Sequence, residues 1–143
     1  MILPLLGAGL LALATLAFAQ APDFSELKPQ NPVQLSGDEL KQLLPGAKVI
    51  SRTNAGSTRS WENKTDGTLT ASSDGRGSSG GLNRFSAGQG TWLVDEKGRW
   101  CVKISWTRNP DDWCRYMFKA GDKYYGYGQL LDKAQGSEFE ISR

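Results

Sequence analysis

The stretch from Gly88 to Gly128, GQGTWLVDEKGRWCVKISWTRNPDDWCRYMFKAGDKYYGYG, decides the fold of this chain. It holds four of the five Trp, all four Tyr and both Cys. Trp100, Val102, Ile104 and Trp106 alternate with Cys101, Lys103 and Ser105, so one face of that segment is wholly apolar. A period of two is the signature of a half-buried strand. DEKG at 95–98, NPDD at 109–112 and AGD at 120–122 are turn signals, and they cut the stretch into four short strands.

Outward from this stretch the same period continues. Eight strands are expected, at roughly 47–53, 58–64, 68–73, 88–94, 99–106, 113–119, 123–130 and 137–142. NAGS, TDG at 65–67 and KAQG at 133–136 supply further turns. Connections this short leave neighbours no choice but antiparallel pairing. The expected fold is mainly β: a small antiparallel up-and-down meander, closed or nearly closed as an eight-stranded barrel of lipocalin or avidin-like architecture. Closure removes both exposed edges of such a sheet.

One helix precedes the strands. Ser36 and Glu39 stand at capping-box spacing, Leu40, Leu43 and Leu44 form an apolar face, and Pro45-Gly46 ends the segment. About two turns are too few for a stable isolated helix, so the Leu face must dock on the sheet. Residues 20–34 carry three Pro among polar residues and read as an extended, partly disordered leader. The single β-rich domain is expected over 35–143. A Gly/Ser-rich loop at 74–88 interrupts it, either as a plain connection or as a binding loop over an open barrel end.

Residues 1–19, MILPLLGAGLLALATLAFA, are apolar and carry no charged side chain, and Ala17-Phe18-Ala19 is an A-x-A site. The segment reads as a secretory signal peptide, cleaved after Ala19 or Ala21 and leaving no stable membrane anchor. A periplasmic or secreted location follows, and an oxidising compartment favours a Cys101–Cys114 disulfide. The register around the two cysteines stays open. Pairing Cys101 with Cys114 puts Tyr116 and Phe118 on the cysteine face, whereas NPDD as the hairpin centre implies another register.

Composition narrows the function. The chain has 143 residues, 17 basic and 15 acidic, and no His. The balance is too even for a nucleic-acid footprint, and the commonest general base and metal ligand is missing. No cofactor and no metal are expected. Asp95, Glu96, Asp111 and Asp112 sit in turn signals, where Asp bonds the backbone. Asn63-Lys64-Thr65 matches a glycosylation acceptor. The aromatics either fill the core of a small sheet or line a pocket in the barrel mouth. Trp61, Trp92, Trp106, Tyr125 and Tyr127 are the candidate ligand contacts, with Trp100 beside them. Gly126 and Gly128 lower the bulk of their strand. The expected function is a non-enzymatic binding module for a small molecule. A protein–protein module acting on an envelope protein is the alternative, and it predicts an exposed aromatic patch.

The motif order resembles small exported bacterial proteins of domain-of-unknown-function family 995. It runs LSGDELKQLLPGAKV, then W-x-x-x-x-D-G-T-L at 61–69, then GTWLVDEKGRWCVKISW, then WCRYMFKAGDKYYGY. The matching positions are Asp66, Gly67, Gly90, Trp92, Val94, Cys101, Trp106, Cys114, Gly121, Asp122 and Tyr124 or Tyr125. The Gly/Ser insert at 74–88 departs from the pattern. The resemblance implies an exported small β-rich domain and no reaction.

Overall fold

A computed structural model describes residues 20–75 and 85–143. The proposed signal peptide and residues 76–84 of the Gly/Ser-rich loop lie outside the described residues.

The described residues begin with a one-turn helix, α1 (Phe24–Leu27), a 3-10 turn (Lys28–Gln30) and a two-residue strand, β1 (Val33–Gln34). Helix α2 (Gly37–Leu43) follows. Eight longer strands come next: β2 (Lys48–Arg52), β3 (Thr58–Asn63), β4 (Thr68–Ser73), β5 (Ser86–Val94), β6 (Trp100–Ser105), β7 (Asp111–Ala120), β8 (Lys123–Tyr127) and β9 (Gly136–Ser142). Each strand from β2 to β9 pairs antiparallel with the next, and β9 pairs back on β2. The meander is therefore a closed eight-stranded barrel, with β1 as an extra strand on β7. Closure satisfies the backbone donors and acceptors that an open sheet leaves at its two edges.

The register follows the cysteines. Cys101 stands opposite Cys114, Trp100 opposite Arg115, Val102 opposite Trp113 and Ile104 opposite Asp111. The disulfide joins β6 to β7 with a Cα–Cα distance of 4.0 Å. NPDD is thus not the hairpin centre: the connection runs over 106–110, and Asp111 and Asp112 belong to β7.

One end of the barrel is plugged by α2. Ser36 accepts a hydrogen bond from the Glu39 amide, and Glu39 accepts one from the Ser36 amide. This capping box secures the short helix. Leu40 and Leu44 are wholly buried against Val49, Trp61, Leu69, Trp100 and Met117. The lumen above them is aromatic. Trp61, Trp100, Trp113 and Phe139 meet with ring centroids 5.2–6.5 Å apart. Such pairs contribute about 0.5–1.5 kcal/mol each beyond the area they bury. Gly88 makes the aromatic packing possible, because a Cβ there would lie 2.7 Å from Ile104 and 2.9 Å from Trp106.

A second apolar cluster lies outside the barrel. Phe118, Ala120, Tyr125 and Tyr127 are covered by Phe24 and by Leu27, which is wholly buried. Residues 20–34 are therefore docked, in place of the extended leader expected from their prolines. Phe24 and Ser25 donate backbone hydrogen bonds to Ala134 and Asp132, and the Tyr127 hydroxyl donates to the Pro22 carbonyl at 2.8 Å. This explains why β7 lacks clean alternation: both of its faces are covered, one by the lumen and one by the N-terminal segment.

Candidate functional site

Among the described residues nothing covers the barrel end opposite α2, and the cause lies in β7. This strand pairs with β6 through Asp111–Arg115 and with β8 through Tyr116–Ala120. β8 ends at Tyr127, so among the described strands none pairs with the second edge of Asp111–Arg115. Odd-numbered residues of this half point inward, and the gap exposes them. A cavity of about 210 Å³ opens there between β7, β9 and the β2–β3 hairpin. Arg59, Trp61, Asp111, Trp113, Arg115 and Phe139 form its walls. A second hollow of about 510 Å³ continues outward past Arg59 and Trp106 toward Phe85 and the 106–109 loop.

The polar groups of the mouth are ordered by Asp111. Its Oδ2 accepts from the Arg59 guanidinium at 2.5 Å and from the Trp106 indole N–H at 2.7 Å. The Arg59 guanidinium also lies 5.2 Å from the Trp106 ring centroid. Arg115 is placed differently. Its guanidinium stacks 4.4 Å from the Trp113 ring and 5.7 Å from Phe139. Burial pulls it down to about 10 from the ordinary 12.5, and the Asp111 carboxylate pushes the other way. It stays charged at neutral pH. Gly126 on β8 gives its stem room, since a Cβ there would lie 3.0 Å from the Arg115 Cδ.

The five aromatic candidates divide into three groups. Trp61 and Trp106 are at the mouth. The Trp61 indole N–H donates to Asn63 inside the core, while its ring lines the cavity. Trp92 packs near the plugged end, and its indole N–H donates to the Lys64 carbonyl at 2.8 Å. Tyr125 and Tyr127 point away from the lumen into the outer cluster, because they share a face with Phe118 across β7 and β8. They are corrected from ligand contacts to core residues beneath the N-terminal segment. What approaches Gly126 is Arg115, Met117 and Phe139 of this chain. Asn63 is wholly buried, which removes it as a glycosylation acceptor.

The sequence alone gives no site role to Arg59, Trp113 and Arg115, and it places Asp111 in a turn. The signal was present in the cysteine pairing, which places Asp111, Trp113 and Arg115 opposite the apolar residues of β6. Asp95 lies beside Cys101 and Cys114, but both sulfurs are consumed by the disulfide, so this trio offers no thiolate to a metal.

A shallow hollow of about 420 Å³ on the outer surface of β2–β4 displays Lys48, Ile50, Glu62 and Thr70. Lys48 and Glu62 are directly paired across the strands there, with opposite charges. The lumenal mouth is the deeper and more aromatic of the two places.

Comparison with known proteins gives one match, to a family described as protein of unknown function (DUF995), over residues 10–114. No curated protein and no solved structure matches the chain.

Proposed function

The chain belongs to the DUF995 family, and we propose that it is an exported, non-enzymatic binding module of the bacterial periplasm or envelope whose ligand site is the open mouth of the barrel. The observation that carries this reading is the asymmetry of the two ends. One is closed by Leu40 and Leu44, and the other keeps a cavity walled by aromatic rings and a few convergent polar groups. Concave, partly apolar sites with few well-placed polar groups are the usual form of a small-molecule pocket. Export is supported by the apolar segment 1–19 and by the Cys101–Cys114 disulfide. Among the described residues, no helix is long and apolar enough to cross a membrane. The absence of His, and the engagement of Asp111 by Arg59 and Trp106, favour binding over catalysis.

Native mass spectrometry of the protein recovered from the periplasm, set against its denatured mass, tests the reading. A mass that begins after Ala19 or Ala21 and lacks two hydrogens supports export and oxidation. An extra mass in the native spectrum alone supports the pocket. Failure to recover the protein from the periplasm overturns export, and a bare monomer overturns the pocket and returns weight to a protein–protein module.

A further inference from the structure

We propose that the barrel mouth binds a small organic carboxylate, held by the Arg115 guanidinium against the wall of Trp61, Trp113 and Phe139. This assignment rests on the mouth being a ligand pocket. It follows from the charges that meet there. The cavity is lined by three arginines and one carboxylate, Asp111. Asp111 is committed to Arg59, whose charge it offsets at 2.5 Å. Arg52 is exposed at the rim and is already engaged. Arg115 remains. It is half-buried on two ring faces and makes no ion pair among the described residues, with the Asp111 carboxylate acting on it from further off.

A guanidinium in that position has lost water and has gained two ring faces and the more distant Asp111 carboxylate in return. Removing a charge from water without a counter-charge is costly. Its planar fork matches a carboxylate with two parallel hydrogen bonds, a geometry that few other groups satisfy. Asp111 already places a negative charge at this mouth, so a carboxylate fits there better than a doubly charged phosphate. The rings of Trp61, Trp113 and Phe139 supply the apolar wall for the body of the ligand. The size of that body is limited. At about 210 Å³ the cavity is smaller than the roughly 300–1,000 Å³ typical of pockets for drug-sized ligands. The hydroxyls of Ser51 and Ser137 at the lip can bond a second polar group on the same molecule.

Three probes of one shape decide the matter: benzoate, its neutral counterpart benzamide, and phenyl phosphate. Each is titrated by calorimetry at neutral pH into the oxidised protein recovered from full-chain expression. Benzoate is expected to bind about tenfold or more tighter than benzamide, the size of one charge-assisted bidentate pair. R115M is expected to abolish that preference, bringing benzoate and benzamide to the same affinity. R115K keeps the charge and the stem without the fork, and is expected to retain only part of the preference. Equal binding of benzoate and benzamide to the wild-type protein overturns the carboxylate assignment while the pocket stands, and this comparison needs no variant to fold. Phenyl phosphate binding tighter than benzoate overturns it in favour of a dianion. Binding of none of the three overturns the pocket reading itself.

Discussion

Arg59 on β3 reaches across the barrel mouth to Asp111 on β7, and the Asp111 carboxylate holds Arg59 and the Trp106 indole N–H on one oxygen. The two strands are not neighbours in the sheet, so this contact spans the lumen. The side chains of Arg59 and Asp111 keep 32% and 24% of their exposure, so solvent screens the pair only in part. D111A leaves a half-buried guanidinium and an indole N–H without their acceptor. A loss of about 1–3 kcal/mol is expected, the cost of unsatisfied partly buried donors. D111N keeps an acceptor for Trp106 and is expected to lose less. Urea unfolding of the three proteins measures the order, and equal midpoints would show that the contact adds nothing.

The disulfide closes a short loop, with 13 residues of separation between Cys101 and Cys114. A loop of this size limits the unfolded chain by about 3 kcal/mol in the entropic account. The barrel is already closed by hydrogen bonding on both sides of the bridge, so reduction is expected to weaken the fold without opening it. A reductant should lower the urea midpoint of the wild-type protein by that amount. It should leave a C101A/C114A double variant unmoved. Loss of all cooperative unfolding on reduction is the contrary result.

The alternation of Trp100, Val102, Ile104 and Trp106 indicated the inner face of β6 correctly, because that strand has one dry face and one wet face. All eight barrel strands carry the same signal or a turn at their ends. The reading failed where a residue has two kinds of neighbour. Tyr125 and Tyr127 look like any aromatic beside glycines, but they are buried by Leu27 and Phe24, about a hundred positions away. Nothing in the local pattern of 20–34 reveals that docking. Asp111 follows Asn-Pro and reads as a turn residue, whereas the disulfide register draws it into the strand. The mouth is legible as an aromatic end and its charges are not: Arg59 lies on a strand whose register only the fold sets, and Arg115 turns inward only once the Cys101–Cys114 register is chosen over the NPDD hairpin.

The N-terminal segment gives the next prediction. Leu27 is wholly buried beneath β7 and β8, although it belongs to a helix of only four residues. Such a helix has no stability of its own, so its docking rests on that side chain and its neighbours. L27A is expected to cost about 2–5 kcal/mol if the barrel and the segment unfold together, as for other large-to-small core changes. Hydrogen exchange distinguishes a local effect from a global one. Selective loss of protection at 20–34, with the barrel amides unchanged, would show that the segment opens alone.

Asp95 predicts the acid side of the stability curve. It sits in the β5–β6 turn, where its Oδ1 accepts from the amides of Lys97 and Arg99 at 3.0 and 2.8 Å. Its Oδ2 accepts from the Arg99 side chain at 2.8 Å. Burial alone would raise this carboxyl, but the backbone and side-chain hydrogen bonds of Arg99, and its charge, together hold it below the ordinary 3.8. A carboxylate held low in the folded protein stabilises it at neutral pH. That contribution is lost as the pH falls below the ordinary value and through the folded one. Asp23 and Asp66 are shifted the same way, first by hydrogen bonds from Ser25 and Thr68. The wild-type urea midpoint should therefore fall below about pH 4. D95N starts from a lower midpoint at neutral pH and should show a shallower fall, with the residue of the slope belonging to the other two carboxylates. Parallel curves for wild type and D95N would mean that the turn contributes no pH dependence.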